Sequence, residues 1–460
     1  MAYHSLGFGM AVSWLWISFL NGPLLENSVT STAPMREELF VLFMFVHACT
    51  YFIISKSDQL PCFFSEKGTV YCAGSGMAIS IILLTLNNSM LLYGAAVLGG
   101  AADALFMAFW LKSFTAMPLN KAGLSFGVGT VMAAAVTIAG YLFLTHSIQL
   151  MIAGIALPLF SAGLYCHFQP VIDNNSAQQL SQPASHAYSP RFLIRVVLFY
   201  LAGAQIYKLT IMDNAFLTSF WLSNITYSAV CLSAGVMMYR NPYIRVSTLF
   251  RPVLPLMAIG FFVVPLTMDK IPLVPFLLLQ AGVAFFDMYT WFYVIRASGS
   301  FVKPLPVIGQ GMAVITGSIL LGETVFNFAL DFFALLSYIN MIVLFGGILS
   351  LYAAFLFKAD DEVFAALATA SAIPADGQDF NLNKGENDFY QQLATQYQLT
   401  PRETEILEML AKGRNGTYIR EKLHITENTV KFHIRNIYGK MAVSNRQELL
   451  NLLDGRKKPQ

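Results

Sequence analysis

The stretch Gly99-Gly100-Ala101-Ala102-Asp103-Ala104-Leu105-Phe106-Met107 places a single acid inside a long apolar run, and its reading decides what kind of protein this is. A helix that crosses a bilayer needs roughly 20 mostly apolar residues, and the run around Leu98 supplies them. Similar stretches recur up to Phe357, and twelve of them are expected. The first six centre on Trp14, Phe45, Ala78, Leu98, Ala133 and Gly154. After a polar interval from Val171 to Pro190, six more centre on Tyr200, Tyr227, Gly260, Val283, Val314 and Leu344, the eleventh being bounded by Pro306 and Glu323.

Composition agrees with this reading. Of 460 residues 56% are hydrophobic and 12% charged, with a mean hydropathy of +0.58, whereas soluble domains carry about 25% charged residues. Thirty-eight Phe, twenty Tyr and twenty Met suit surfaces that face lipid. A wholly soluble protein, a disordered chain and a collagen-like chain are excluded. The first residues, Met1-Ala2-Tyr3-His4-Ser5, lack the basic start of a secretory signal, and no small-residue cleavage site follows, so the first apolar run reads as a membrane helix.

Lys and Arg test the topology independently, because they accumulate in cytoplasmic loops. With twelve helices and a cytoplasmic N-terminus, the inside loops and helix ends hold Lys56, Lys67, Lys112, Lys121, Arg191, Arg195, Arg240, Arg245, Arg251, Arg296, Lys303 and Lys358. The outside holds only Arg36, Lys208 and Lys270. A missing or extra helix would invert every later loop. Both termini are therefore expected in the cytoplasm, with the chain passing repeatedly through a bacterial cytoplasmic (inner) membrane.

Six helices, a longer loop and six more helices resemble the major facilitator superfamily over residues 6 to 357, and that resemblance implies two halves related by a parallel repeat. The family's usual Gly-x-x-x-Asp-Arg-x-Gly-Arg-Arg between the second and third helices is absent. The chain reads Ser55-Lys56-Ser57-Asp58-Gln59-Leu60-Pro61 there, and Tyr239-Arg240-Asn241-Pro242-Tyr243-Ile244-Arg245 after the eighth helix.

A carboxylate near the middle of a bilayer costs several kcal/mol unless it faces a polar cavity or a partner. Asp103 on the fourth helix and Asp287, in Phe285-Phe286-Asp287-Met288-Tyr289-Thr290-Trp291, on the tenth occupy corresponding places in the two halves. They read either as acids lining a central site for a cation, a proton or a polar ligand, or as acids that hold helices together. Gln280, Trp291 and Lys208 are further ligand-sensing candidates, with Gln205, Gln310 and Asn340 as lesser ones. The glycines Gly94, Gly100, Gly309 and Gly311 are expected at close helix contacts. His47 and His146 have no companions at ligand spacing, and the five cysteines form no cluster, so neither a metal nor a cofactor is expected.

After the membrane domain, 1–358, the composition changes. Residues 359–395 hold seven acids and one base, with Pro374-Ala375-Asp376-Gly377 and the polar run 381–387, and read as an acidic flexible linker. Residues 396–460 hold twelve bases against seven acids and show an all-helical pattern. Thr400-Pro401-Arg402-Glu403 is a capping box with Pro at the first helical position, followed by a stripe of Ile406, Leu407, Met409 and Leu410. Gly413 ends that helix, a short second one spans about 417–423, and Thr426 caps a third from Glu427 to about Lys440. Ser444-Asn445-Arg446-Gln447 opens a fourth. On the third helix Val430, Ile434, Ile437 and Met441 face the core, while Asn428, Lys431, Phe432 and Arg435 lie on the opposite arc. A helix held across another by a tight turn, with basic and amide groups outward, suits a DNA major groove.

The tail closely resembles the LuxR-type helix-turn-helix domain of bacterial regulators. The matching residues are Leu399-Thr400-Pro401-Arg402-Glu403-x-Glu405-Ile406-Leu407, Ala411-x-Gly413, Ile419, Leu423-x-Ile425-Thr426-Glu427-Asn428-Thr429-Val430-Lys431-x-His433-Ile434-x-Asn436-Ile437-Tyr438, Lys440, Val443 and Arg446. The resemblance implies that Lys431, Phe432 and Arg435 reach base edges, that Thr429, His433 and Asn436 lie toward the phosphate backbone or support the helix, and that Asn428 and Lys440 belong to the same DNA-binding surface. Departures from the family pattern are Arg420, Gly416, Ala442 and Gly439.

The expectation is an all-α chain: a major-facilitator-like bundle of twelve membrane helices (six plus six) followed by a four-helix LuxR-type domain. It would sense a small molecule or a membrane signal and bind promoter DNA, and LuxR-type domains usually pair as homodimers. The alternative is a major-facilitator-like transporter with a regulatory DNA-binding tail. No Gly-rich phosphate loop, nucleophile elbow or metal spacing points to an enzyme.

Overall fold

The computed structural model describes residues 1–20, 24, 33–57, 65–86, 88–144, 147–168, 187–211, 216–241, 244, 246–267, 273–301, 303–332, 390, 393–394, 396–411, 419, 423, 427–441, 443, 448–449 and 452–453. The chain divides into two compact units, Met1–Ile373 and Pro374–Gln460. The expected twelfth segment around Leu344, Asn340 and most of the acidic stretch 359–395 lie outside the described residues.

Eleven helices make up the described part of the first unit. They are α1 (Ala2–Ser18), α2 (Ala33–Ile54), α3 (Glu66–Thr85), α4 (Ser89–Thr115), α5 (Leu119–Phe143), α6 (Ser147–His167), α7 (Pro190–Ile211), α8 (Phe216–Arg240), α9 (Val253–Thr267), α10 (Leu273–Gly299) and α11 (Pro304–Phe332). Each of the first eleven expected centres falls on its own helix, and α11 runs past Glu323 to Phe332. Local signals set the starts. The Ser65 hydroxyl accepts the Gly68 N–H at 3.2 Å ahead of α3, and the Asn88 side chain accepts the N–H groups of Met90 and Leu91 at 3.0 and 3.4 Å ahead of α4. Inside α1, the hydroxyls of Ser13 and Ser18 donate to the carbonyls of Gly9 and Trp14 at 2.7 and 2.6 Å, so these polar groups are satisfied within an apolar helix.

Among the described residues, eight helical stretches are long and apolar enough to cross a membrane. Their outer faces show Phe45, Phe52, Ile53, Phe160 and Phe262 at more than half exposure, a surface that water would not tolerate but lipid accepts.

Helix pairing reveals the internal repeat. If α7–α11 are matched in order to α1–α5, the main contacts within those helices correspond: α1–α5 with α7–α11, α2–α4 with α8–α10, and α3–α4 with α9–α10. The two halves meet through α2–α11 and α5–α8, which exchange under the same matching, and α4 meets α10. Among the described residues this is the contact pattern expected of a parallel repeat.

Glycine permits the closest approaches between the halves. A Cβ on Gly235 would lie 2.5 Å from the Gly123 carbonyl oxygen, one on Gly127 would lie 2.6 Å from that of Cys231, and one on Gly309 would lie 2.5 Å from the Ser55 nitrogen. These contacts fall toward the helix ends that carry Lys56, Lys121 and Arg240. Gly100 and Gly311 are also tight, but Gly94 is not: its nearest neighbour, Leu83 Cδ1, is 4.0 Å away. Gly94 was expected at a close contact, and the side of α4 it occupies is not packed by backbone.

In the second unit, α12 (Pro401–Ala411) and α13 (Glu427–Met441) pack together. The expected capping box is present in both directions: Glu403 N–H donates to the Thr400 hydroxyl at 3.3 Å, and Thr400 N–H donates to the Glu403 carboxylate at 2.9 Å. Ile406, Leu407, Leu410, Val430, Ile437, Met441, Leu449 and Leu453 form the core, with Met409 and Ile434 at its edge. Tyr390 and Leu393, inside the stretch read as linker, are buried in the same core. The packed unit therefore begins upstream of residue 396, because its short apolar pair was masked in the sequence by acidic neighbours.

Candidate functional site

On α13 the helical period places Phe432 and Arg435 on one arc, and both side chains are exposed, Phe432 by 58%. An exposed phenylalanine on an otherwise polar face is an unexplained apolar cost for a free helix. Asn428 and Lys431 occupy the same arc by register; their side chains lie outside the described residues. Thr429, His433 and Asn436 are half-buried at the arc's margin. The His433 Nδ1 is buried and makes no hydrogen bond, and its ring lies 5.7 Å from that of Phe432.

Lys440, expected on the DNA-binding surface, is exposed and also tied to the start of α12. Its ammonium donates to the Glu403 carboxylate at 2.7 Å and to the Gln398 carbonyl at 2.9 Å. Gln398 has a positive φ of 50°, the left-handed turn that aims its carbonyl at the lysine. Lys440 thus fastens the end of α13 to the start of α12. Burial alone pushes the Glu403 carboxyl upward, but the bonded Lys440 ammonium with the Thr400 N–H and hydroxyl outweighs it and holds the group down at about 2. Arg402 adds a second tie by donating to the Leu423 carbonyl at 2.9 Å. The sequence marked Glu403 as a cap only; its second role needed the fold.

In the first unit, Asp103 and Asp287 hold the same place: each is fifteenth from the start of a 27-residue helix, counting from Ser89 and from Leu273. Their surroundings differ. Two phenols donate to Asp287, Tyr200 from α7 at 2.7 Å and Tyr227 from α8 at 2.9 Å, so one carboxylate joins three helices. Tyr200 also lies 3.1 Å from the Thr290 hydroxyl. Asp103 is fully buried, and neither of its oxygens has a hydrogen-bond partner. His47 Nδ1 on α2 stands 3.5 Å from one of them.

Gln280 and Trp291 lie seven residues before and four after Asp287, on the same face of α10. Trp291 packs edge-on to Phe126 of α5 at 5.5 Å. The side chains of Lys208 and Gln205 are outside the described residues, as is His146. Site residues absent from the sequence candidates are Tyr200, Tyr227 and Tyr51, while Arg195, which the sequence places among the inside bases, is buried and bonds Tyr289. No group of three or more His, Cys, Asp or Glu suited to a metal occurs among the described residues.

The fold and these two sites define a multi-pass membrane protein with a small helical terminal unit. Residues 397–453 match the family model described as "Bacterial regulatory proteins, luxR family". The chain is 52% identical across 50 residues to the transcriptional regulatory protein LnrK of Bacillus subtilis, covering 11% of this chain and 23% of that protein. It is 45% identical across 51 residues to the nitrate/nitrite response regulator protein NarL of Escherichia coli, covering 11% and 24%. The match therefore spans about a quarter of the length of these relatives.

The membrane unit is similar to solved major facilitator structures. The transporter FucP in the outward conformation superposes with a TM-score of 0.54 at 14% identity, and the human organic anion transporter MFSD10 with 0.57 at 11%. Each likeness covers 78% of this chain and 98% of the other. Residues 397–453 thus match the LuxR-family model, and the membrane unit has the major facilitator fold.

Proposed function

We propose that the protein is a membrane-integral transcription regulator. Its bundle sits in the bacterial cytoplasmic membrane with both termini in the cytoplasm, and it senses a small molecule or a membrane signal. Its terminal domain binds promoter DNA, as a homodimer on paired half-sites. The observation that carries the reading is one chain in which residues 397–453 match the LuxR-family model, with Phe432 and Arg435 exposed on α13, after a facilitator-like bundle of eleven described helices. Lys431, Phe432 and Arg435 read base edges. Asn428 and Lys440 belong to the same DNA-binding surface, Lys440 also fastening α13 to α12, while Thr429, His433 and Asn436 lie toward the phosphate backbone or support the helix. Asp103, Asp287, Gln280, Trp291 and Lys208 form the sensing region, and no catalytic role is assigned.

A ligand can shift the regulator only by binding one bundle conformation better than another. Chromatin immunoprecipitation of the intact protein, followed by a screen for compounds that change expression of the bound genes, tests the reading. Enrichment at promoters with a compound-dependent response supports it. A response unchanged in both Asp103→Asn and Asp287→Asn removes those acids from the sensing region.

The 98% coverage of transporter chains favours a second reading, a transporter with a regulatory tail. Uptake of labelled solute into proteoliposomes would support it.

A further inference from the structure

The α2–α4 contact holds an unusual concentration of unsatisfied polarity. Asp103 is 0% exposed, Tyr51 0% and His47 6%, and four of their polar atoms, both Asp103 oxygens, His47 Nδ1 and the Tyr51 hydroxyl, have no hydrogen-bond partner. His47 and Tyr51 lie one turn apart on α2, with ring centroids 4.8 Å apart. Phe43, a turn earlier, stacks on Phe19 at 4.4 Å and shields the cluster. The helices are pressed together here, since a Cβ on Gly100 would lie 2.6 Å from the Phe43 carbonyl oxygen.

The charge of this cluster depends on one proton. With neutral imidazole and ionised Asp103, an uncompensated negative charge is buried in the middle of a membrane helix. With one proton added, the pair is neutral overall, whether the hydrogen sits on nitrogen or oxygen, and the 3.5 Å gap can close to a hydrogen bond. Among the described residues, Tyr51 is the ionisable group beside the pair, and neither His47 nor Asp103 has a further ion-pair partner within 4.0 Å. Ionisable groups on the surrounding helices are engaged elsewhere: Lys112 with Glu66, Glu38 with Tyr93, and Asp287 with Tyr200 and Tyr227. His4 of α1 lies against Trp110 and Phe114, and Glu323 of α11 is buried with interactions of its own.

We propose that His47 and Asp103 form a proton-binding site that latches α2 to α4, with Tyr51 as its neighbouring hydroxyl, while Asp287 is a structural clamp outside that equilibrium. Uptake forms one N–H or O–H bond with a proton delivered by hydronium, whose O–H bond breaks and which leaves as neutral water. Loss of the proton leaves a bare charge that favours separation of α2 from α4 or entry of water. Because α2 also meets α11 across the halves at Ser55 and Gly309, the latch bears on the contact between halves. The inference deepens the sensing role of Asp103 and rests on that reading only for its consequence, not for its chemistry.

The test is proton uptake by the full chain in lipid nanodiscs, read with a pH-sensitive dye in weak buffer between about pH 5 and 9. Asp103→Asn and His47→Gln should each lack one proton that the wild type binds, Tyr51→Phe should shift the midpoint without losing the step, and Asp287→Asn should keep it. Thermal unfolding identifies any variant that fails to fold; in that case Tyr51→Phe decides, and a midpoint unmoved by it overturns the site. Full uptake in folded Asp103→Asn and His47→Gln also overturns it. DNA is absent from the assay, so a missing promoter response with an intact proton step would count against the regulator and not against the latch.

Discussion

The two halves of the membrane unit have the same helix pairing, the same helix lengths at α4 and α10, and an acid at the same position, yet they treat the acid in opposite ways. In the second half, Tyr200 and Tyr227 close on Asp287 from two neighbouring helices. In the first, Phe43 occupies the place corresponding to Tyr227 by the offset that relates Asp103 to Asp287, and Asp103 has His47 at 3.5 Å with no hydrogen bond. A repeat therefore fixes where a side chain stands but not its chemistry. By the same offset Trp16 stands where Tyr200 does, so two phenols exchanged for a phenyl ring and an indole separate a clamp from an unpartnered carboxylate.

The largest effects should come from the contacts the halves share. Gly235→Leu and Gly309→Leu would each force atoms into backbone at 2.5 Å, and thermal unfolding in detergent should show loss of about 3 kcal/mol or more, or no folded protein. Gly94→Leu, in open surroundings, should stay near wild type. If Gly309→Leu were silent while Gly235→Leu was not, the symmetry of the two seams would fail.

The acids should diverge next. Asp287→Asn loses charge-assisted bonds and is expected to destabilise by about 1–3 kcal/mol, with Tyr200→Phe and Tyr227→Phe each losing about 1 kcal/mol. Asp103→Asn removes an unpartnered carboxylate and is expected to be neutral or stabilising. Equal destabilisation by both Asn variants in the same unfolding assay would break the comparison.

A smaller effect belongs to the terminal unit. Glu403 is held at about 2 against an ordinary value near 4.5, so the stability it contributes is fully present above about pH 4.5 and is lost as pH falls toward 2. Glu403→Gln should cost about 1–2 kcal/mol at neutral pH and flatten that acid-side loss, measured by circular dichroism of the helical signal.

Much of this was legible in the sequence because it is local. Apolar run length gave the eleven described helices their centres, and the Thr400–Glu403 capping box and the Val430, Ile437, Met441 period set the terminal unit. The interhelical chemistry was not legible. Membrane helices are apolar all round, so no stripe marks which face of α8 brings Tyr227 to Asp287 or which face of α2 brings His47 to Asp103. Lys440 looked like one more base beside the recognition arc, and only the left-handed turn at Gln398 and the position of Glu403 reveal its partners. Gly94 and Gly100 read alike, yet backbone packs against only one of them.

The central claim is that a membrane-embedded chain reads DNA through α13. Full-length protein in nanodiscs should be titrated with promoter fragments recovered by immunoprecipitation, beside Arg435→Ala. The account expects salt-sensitive, sequence-selective binding that Arg435→Ala weakens by about tenfold or more, the range set by a lost guanine contact. Equal affinity of wild type and Arg435→Ala for those fragments, or no preference over unrelated DNA, would contradict it.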